Sequence, residues 1–104
     1  MSKSEVKKII KKYAENLRRN NFPVSFVYFF GSRRKGTNHK DSDIDVAVIS
    51  PKLKNQYTKG RFNLWKFRHE VDLRIEPHGF TPEDWANDND PMVYEIKKTG
   101  LRIA

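Results

Sequence analysis

The segment FFGSRRKGTNHKDSDIDVAVI, residues 29–49, joins two apolar stretches through a polar connection that begins with Gly31 and Ser32. Before it, the run VSFVYFF at residues 24–30 is rich in aromatic and β-branched side chains, which predicts a strand buried on both faces. After it, DIDVAVIS at residues 43–50 alternates, so Asp43 and Asp45 share one face of a second predicted strand. Two carboxylates this close repel each other, and the pattern raises the question of what compensates for that repulsion.

The segment before the first strand predicts a helix from Ser4, its cap, to about Arg19. Apolar residues recur there at helical spacing and form one face, while the opposite face consists of lysine and arginine. The members of the apolar face are Val6, Ile9, Ile10, Tyr13, Ala14 and Leu17.

The second half of the chain continues the alternation of helix and strand. Residues 52–69 fit either a strand or a helix, and we favour a helix because strands are predicted on both sides. VDLRIEP at residues 71–77 predicts a third strand, with Val71, Leu73 and Ile75 facing inward. TPED at residues 81–84 and Asp90-Pro91 are helix starts. The second of these helices extends to Lys98 before Gly100, and residues 101–103 form a short final strand.

This element order predicts one α/β (α+β) domain over residues 1–104, in which helices pack on a small mixed sheet. The chain has no cysteine, so disulfides and thiolate metal sites are excluded. We expect a cytoplasmic protein without a membrane segment, because no long apolar run occurs. The net charge of +8 indicates either a polyanionic partner, such as a nucleotide or nucleic acid, or simply a lysine-rich surface.

The aspartates have a chemical interpretation. Strand residues two apart lie roughly 6.5 Å apart at the backbone, and paired Mg²⁺ ions in phosphoryl-transfer sites lie about 3.5–4 Å apart. Asp43 and Asp45 can therefore bind metal jointly, and Asp72 joins them if its strand pairs with theirs. Gly31 lets the backbone approach a phosphate, and Ser32 can donate its hydroxyl at the start of a predicted short helix.

The spacing of these residues resembles a known signature. Gly31-Ser32, ten intervening residues and then Asp43-Ile44-Asp45 look like the motif of the polymerase-β-like nucleotidyltransferase superfamily. More narrowly, GSRRKGTNHKDSDIDVAV is similar to the minimal nucleotidyltransferases of prokaryotes, which are often encoded beside a HEPN-domain partner as antitoxin and toxin. The chain departs from that pattern at Arg34, where alanine is common in the family.

The resemblance implies a fold and a set of roles. The fold is that of the polymerase-β-like nucleotidyltransferases. Asp43, Asp45 and Asp72 are the expected catalytic residues and the ligands of two Mg²⁺ ions, with Asp72 also helping to deprotonate an attacking hydroxyl. Gly31 and Ser32 are expected to hold the phosphates of a nucleoside triphosphate, here ATP.

The basic residues beside the motif are candidates for further phosphate contacts. Of Arg33, Arg34, Lys35 and Lys40, we expect one or two, with Arg33 and Arg34 as the first candidates, to steady the triphosphate; the alternative for each is an ordinary surface charge. Arg74 shares the predicted face of Asp72 and is either a phosphate contact or a salt-bridge partner. Glu76 is interpreted as structural, and His78 is given no role because the histidines show no metal-ligand spacing.

The function that follows from the resemblance is transfer of AMP from ATP to a hydroxyl on a partner protein, as the antitoxin of a HEPN-type toxin. Two alternatives remain open: a non-catalytic module that caps its partner, and the adenylyltransferase subunit of an enzyme acting on an aminoglycoside-like small molecule. A nucleic-acid partner is not favoured, since aromatic and basic residues do not interleave. A small domain with half a cleft also predicts a partner in trans, either a helical protein or a second copy.

Overall fold

A computed structural model describes residues 2–31, 43–54 and 57–104. These residues form a four-stranded sheet in the order β3-β2-β1-β4, built from β1 (Phe26–Phe30), β2 (Ile44–Ile49), β3 (Ile75–Phe80) and β4 (Leu101–Arg102). β1 is antiparallel to β2 and to β4, whereas β2 is parallel to β3. The mixed sheet predicted from the sequence is thereby confirmed.

The first helix, α1 (Lys3–Arg19), begins earlier than predicted. Its cap is Ser2 and not Ser4, because the Ser2 hydroxyl accepts a hydrogen bond from the Glu5 backbone N–H at 3.1 Å. The predicted apolar face is confirmed, with Val6, Ile10, Tyr13, Ala14 and Leu17 buried.

One face of the sheet carries the main core. Val27 and Phe29 of β1 pack there with Val46 of β2 and Ile75 of β3, under α1 and α2 (Tyr57–Arg68). Residues 57–68 are thus helical, as favoured from the sequence. β1 is covered less evenly than predicted, because Phe26, Tyr28 and Phe30 on its other face are only half-buried.

The other face of the sheet is covered in part by two short helices, α3 (Pro82–Ala86) and α4 (Pro91–Thr99). Thr81 and Asp84 form the predicted capping box of α3, and Asp90 caps α4. Trp85 packs on Tyr28, with ring centroids 4.9 Å apart. These helices therefore cover the part of this face around Tyr28. The part around Asp45 and His78 is less covered, and these side chains keep 23% and 30% of their surface exposed.

The third strand was predicted in the wrong place: β3 spans Ile75–Phe80 and not residues 71–77. Residues 71–74 form a turn, in which the Arg68 guanidinium donates to the carbonyl oxygens of Leu73 at 2.7 Å and Ile75 at 3.0 Å. Leu73, predicted to face inward, is 60% exposed. The shift changes which acidic residue reaches the sheet.

None of the helices within residues 2–31, 43–54 and 57–104 combines the length and hydropathy needed to cross a bilayer.

Candidate metal and nucleotide site

A row of side chains crosses three strands at the exposed end of the sheet. Asp45 of β2 pairs with Phe30 of β1 on one side and with Glu76 of β3 on the other. Since alternate strand residues share a face, His78 lies on the same face as Glu76. The candidate ligand atoms of Asp45, Glu76 and His78 all lie within 4.8 Å of one another.

Asp43 brings a further carboxylate to this group. It lies directly before β2, and its side chain is in hydrogen-bond contact with Glu76. That contact, partial burial and the charges of Asp45 and Asp43 raise the pKa of Glu76, while His78 acts in the opposite direction. The negative charge gathered here is therefore unfavourable in the protein alone, and a bound cation would offset it.

Gly31 places the end of β1 against the same group. Its φ of +89° lies in the left-handed region, where glycine is favoured. A Cβ on Gly31 would overlap the Asp45 carboxylate. Glycine is thus required here both by backbone conformation and by the close approach of Asp45. Ser32, Arg33 and Arg34, and the predicted short helix that begins at Ser32, lie outside the described residues, and their phosphate contacts stay predictions.

Asp72 lies in the turn before β3 and does not belong to the group formed by Asp45, Glu76 and His78. Its carboxylate accepts hydrogen bonds from the Arg74 backbone N–H at 2.9 Å, from Nε at 2.9 Å and from Nη2 at 2.6 Å. Of the two roles considered for Arg74, the structure shows the salt bridge. Asp72 was predicted to lie on a strand beside the aspartates of β2, and that placement is wrong. The role of Asp72 as a metal ligand stays a prediction.

Sequence reasoning missed Glu76 and His78. The motif E-x-H at residues 76–78 does give two ligand types on one strand face. The strand predicted from alternation, however, begins at residue 71, four residues before β3. The decisive relation is the pairing of Glu76 with Asp45, which joins residues far apart in the chain.

The donor set fits a divalent cation. Asp45 and Glu76, with Asp43 beside Glu76, could supply carboxylate oxygens, the ligands that Mg²⁺ prefers, and their mutual repulsion is the charge pattern that such an ion relieves. The half-buried position leaves one side of the group accessible to phosphate oxygens, which commonly complete the coordination of Mg²⁺.

Comparison with known proteins places this site in a family. The model of the nucleotidyltransferase domain family matches residues 6–85, which include Gly31, Asp43, Asp45 and Glu76. The chain belongs to the nucleotidyltransferase domain family. The family resemblance stated from the signature is confirmed.

Among curated proteins, the chain resembles protein adenylyltransferase MntA of Shewanella oneidensis, with 49% identity over 35 residues. That alignment covers 33% of this chain and 25% of the relative, so it spans only a quarter of the relative's length.

Among solved structures, a toxin–antitoxin with AMP-PNP matches this nucleotidyltransferase with a TM-score of 0.64 and 25% identity, over 94% of this chain and 72% of the other. A nucleotidyltransferase structure from Sulfolobus solfataricus matches with a TM-score of 0.64 and 20% identity, over 94% of this chain and 78% of the other. A mutant of the MntA-HpeT toxin–antitoxin matches with a TM-score of 0.61 and 22% identity, over 90% of this chain and 71% of the other. The last two matches show the fold alone.

Proposed function

We propose that this nucleotidyltransferase transfers AMP from ATP to a hydroxyl of a partner protein, and that it acts as the antitoxin of a HEPN-type toxin. The observation that carries the proposal is the convergence of Asp45 and Glu76 at the exposed end of the sheet, with Gly31 against Asp45 and Asp43 beside Glu76. Support for the nucleotide comes from a structurally similar toxin–antitoxin that was solved with AMP-PNP.

In this proposal Asp43, Asp45 and Glu76 hold two Mg²⁺ ions, and Glu76 takes the place first predicted for Asp72. Glu76 is preferred because it pairs with Asp45 across the strands, whereas Asp72 is engaged by Arg74. Bound Mg²⁺ would neutralise the triphosphate and stabilise the charge that develops during phosphoryl transfer.

The reaction is an in-line displacement at the α-phosphorus. The acceptor oxygen forms a bond to the α-phosphorus, the bond from that phosphorus to the β-phosphate oxygen breaks, and pyrophosphate leaves. The proton of the acceptor hydroxyl passes to a carboxylate of the cluster, for which Glu76 is the candidate beside Asp45. Gly31 and Ser32 are proposed to hold the departing phosphates, with Arg33 and Arg34 beside them. The residues thus act mainly by positioning and by charge.

Two features favour a protein as the acceptor. The similar structure with AMP-PNP is a toxin–antitoxin. The described residues also form an exposed apolar strip of Phe62, Trp65 and Leu73, in which the Arg68 guanidinium lies 4.5 Å from the Trp65 ring and bonds the Leu73 carbonyl. Phe62 is 66% exposed and lies three residues before Trp65 on the same face of α2, and contiguous exposed apolar surface marks interaction sites. We assign this strip to the helical partner.

The test is incubation of the purified protein with Mg²⁺, α-labelled ATP and a co-expressed HEPN-type partner. The comparison variants are Asp43→Asn/Asp45→Asn and Asp88→Asn, since Asp88 is an exposed acid that pairs with Lys97 away from the cluster. We expect label on the partner from the wild type and from Asp88→Asn, and none from the double variant.

A stable complex without label, for all four nucleoside triphosphates, would contradict the proposal and favour the module that caps its partner. Label on an aminoglycoside in place of the protein would favour the small-molecule alternative.

A further inference from the structure

His78 belongs to the same cluster by geometry, although a metal site for nucleotidyl transfer needs only carboxylates. Its Nε2 lies 3.3 Å from Asp45 Oδ1, and its candidate ligand atom is within 4.8 Å of those of both Asp45 and Glu76. Two atoms bound to one ion at about 2.1 Å and at right angles are separated by about 3 Å. The two groups are at hydrogen-bond distance in the metal-free protein, and their spacing also suits two ligands of the same ion.

The imidazole is held in this orientation by its neighbours. The Phe30 ring packs edge-on against it, with centroids 5.2 Å apart and an interplanar angle of 62°. Phe30 also pairs with Asp45 across the strands. The two residues that contact the His78 ring are therefore neighbours, and together they fix its orientation. With 30% of its side-chain surface exposed, His78 is not a core residue whose packing alone explains the contact.

We propose that His78 supplies a nitrogen ligand to one of the two ions of the proposed metal site, so that this position binds Mn²⁺ and Co²⁺ more tightly than carboxylates alone would, while still accepting Mg²⁺. The inference rests on the proposed metal site and adds to it a preference among ions. Mg²⁺ binds oxygen ligands, whereas imidazole nitrogen increases affinity along the series from Mn²⁺ to Co²⁺. A site of carboxylates plus one histidine therefore differs in selectivity from a site of carboxylates alone.

The test compares the affinities of Mg²⁺, Mn²⁺ and Co²⁺ for the wild type and for His78→Gln by calorimetry. Glutamine offers an amide oxygen, which Mg²⁺ accepts. We expect His78→Gln to weaken Co²⁺ binding by about tenfold or more, Mn²⁺ binding by less and Mg²⁺ binding by less than about twofold. An equal loss for all three ions would overturn the inference, because a residue that only positions Asp45 would affect them alike.

The matched control is His69→Gln. His69 is an exposed histidine directly after α2, and its Nδ1 lies 3.2 Å from the carbonyl oxygens of Trp65 and Lys66. It is not on β2 or β3, which carry the cluster residues. We expect this variant to bind all three ions as the wild type does. A similar graded loss in His69→Gln would also overturn the assignment to His78.

Direct coordination is read from the electron spin echo of bound Mn²⁺. We expect nitrogen modulation in the wild type, a change of that modulation on labelling histidine with ¹⁵N, and its loss in His78→Gln. Mn²⁺ that binds without nitrogen modulation would overturn the inference while leaving the carboxylate site intact. Failure of the folded wild type to bind any of the three ions would overturn the metal site of the proposed function as well.

Discussion

Gly31 and Asp45 lie so close together that any side chain at residue 31 would overlap the Asp45 carboxylate. The glycine of the signature thus shapes the proposed metal site itself, besides its proposed role in giving a phosphate access to the backbone. Its φ of +89° adds a second requirement for glycine at the same position.

We therefore expect Gly31→Ala to lose divalent-metal binding and nucleotidyl transfer, because Asp45 must move away from Glu76. Alanine is also strained in the left-handed backbone conformation of residue 31, which should lower the free energy of unfolding of the variant by about 1–2 kcal/mol. Calorimetric titration with Mn²⁺ and a thermal melt measure the two effects separately.

Asn21→Ala is the control for the backbone effect. Asn21 also has a positive φ, of 62°, but it lies at the exposed end of α1. We expect it to lose stability without losing metal binding. Normal metal binding by Gly31→Ala would show that the contact with Asp45 does not matter.

The identity of the third carboxylate is tested by a pair of variants. Glu76→Gln should reduce nucleotidyl transfer on the order of 10²-fold or more, since it removes a ligand of the proposed metal site. Asp72→Asn should leave transfer close to the wild-type rate and lower the free energy of unfolding by about 1 kcal/mol, because it weakens the contacts with Arg74. Initial rates with labelled ATP and thermal melts give both quantities. The reverse ranking of the two rates would restore Asp72 as the third ligand.

The raised pKa of Glu76 predicts a pH dependence for the metal-free protein. The hydrogen bond with Asp43 and the charges of Asp45 and Asp43 make the folded state bind this proton more tightly than the unfolded state does. The contribution of Glu76 to stability therefore decreases as the pH rises from about 4.3, the ordinary glutamate value, through the raised pKa.

In EDTA, the Tm of Glu76→Gln should exceed that of the wild type by a margin that grows as the pH rises through this window. His78, which opposes the shift, is present in both proteins. Mg²⁺ added above the window should raise the Tm of the wild type more than that of the variant. A difference in Tm that is constant with pH would show that Glu76 is not crowded by its neighbours.

A buried hydrogen bond connects the two helices of the main core. The Tyr13 hydroxyl donates to the Leu64 carbonyl at 2.6 Å, and burial raises the pKa of Tyr13, so the hydroxyl keeps its proton. Tyr13→Phe should cost about 1 kcal/mol, which corresponds to a fall in Tm of about 4–8 °C for a domain of this size. Tyr94→Phe, at a tyrosine that is 54% exposed, should leave Tm unchanged. Equal melts for the two variants would exclude a contribution from the Leu64 contact.

The exposed strip predicts a loss of partner binding. Phe62→Ser should weaken the complex with the HEPN-type partner by about tenfold or more, as expected for an aromatic anchor of an interface, and should leave metal binding unchanged. Tyr94→Ser removes a comparably exposed aromatic side chain from α4 and serves as the control. Binding is measured by titration of the purified partner. An equal effect of both substitutions would argue against a specific role of the strip.

Features that depend on near neighbours in sequence could be predicted. The buried face of α1 follows from helical spacing, the starts of α3 and α4 follow from Thr81-Pro82 and Asp90-Pro91, and the two faces of β2 follow from alternation. In each case the residues that determine the element lie within one or two turns of it.

The third carboxylate depends on more distant relations. Alternation continues upstream of β3 through Val71 and Leu73. This stretch is nevertheless a turn, because the Arg74 backbone N–H donates to the Asp72 carboxylate and the Arg68 guanidinium donates to the Leu73 carbonyl. A period-two pattern does not reveal such contacts. Nor does it reveal that Glu76 pairs with Asp45, because a shift of one strand by two residues leaves the same side chains on each face.

The alternation of β2 has an evolutionary consequence. Val46 faces the main core and Asp45 faces the proposed metal site, so adjacent codons are subject to different selection, one for folding and one for chemistry. Position 45 can therefore change under selection for new metals or acceptors while the buried residues of both faces, such as Val46 and Ala47, are retained. Insertion of one residue into the strand would exchange the two faces and abolish both properties at once. A lineage can thus change its substrate readily by substitution, but hardly at all by altering the length of this strand.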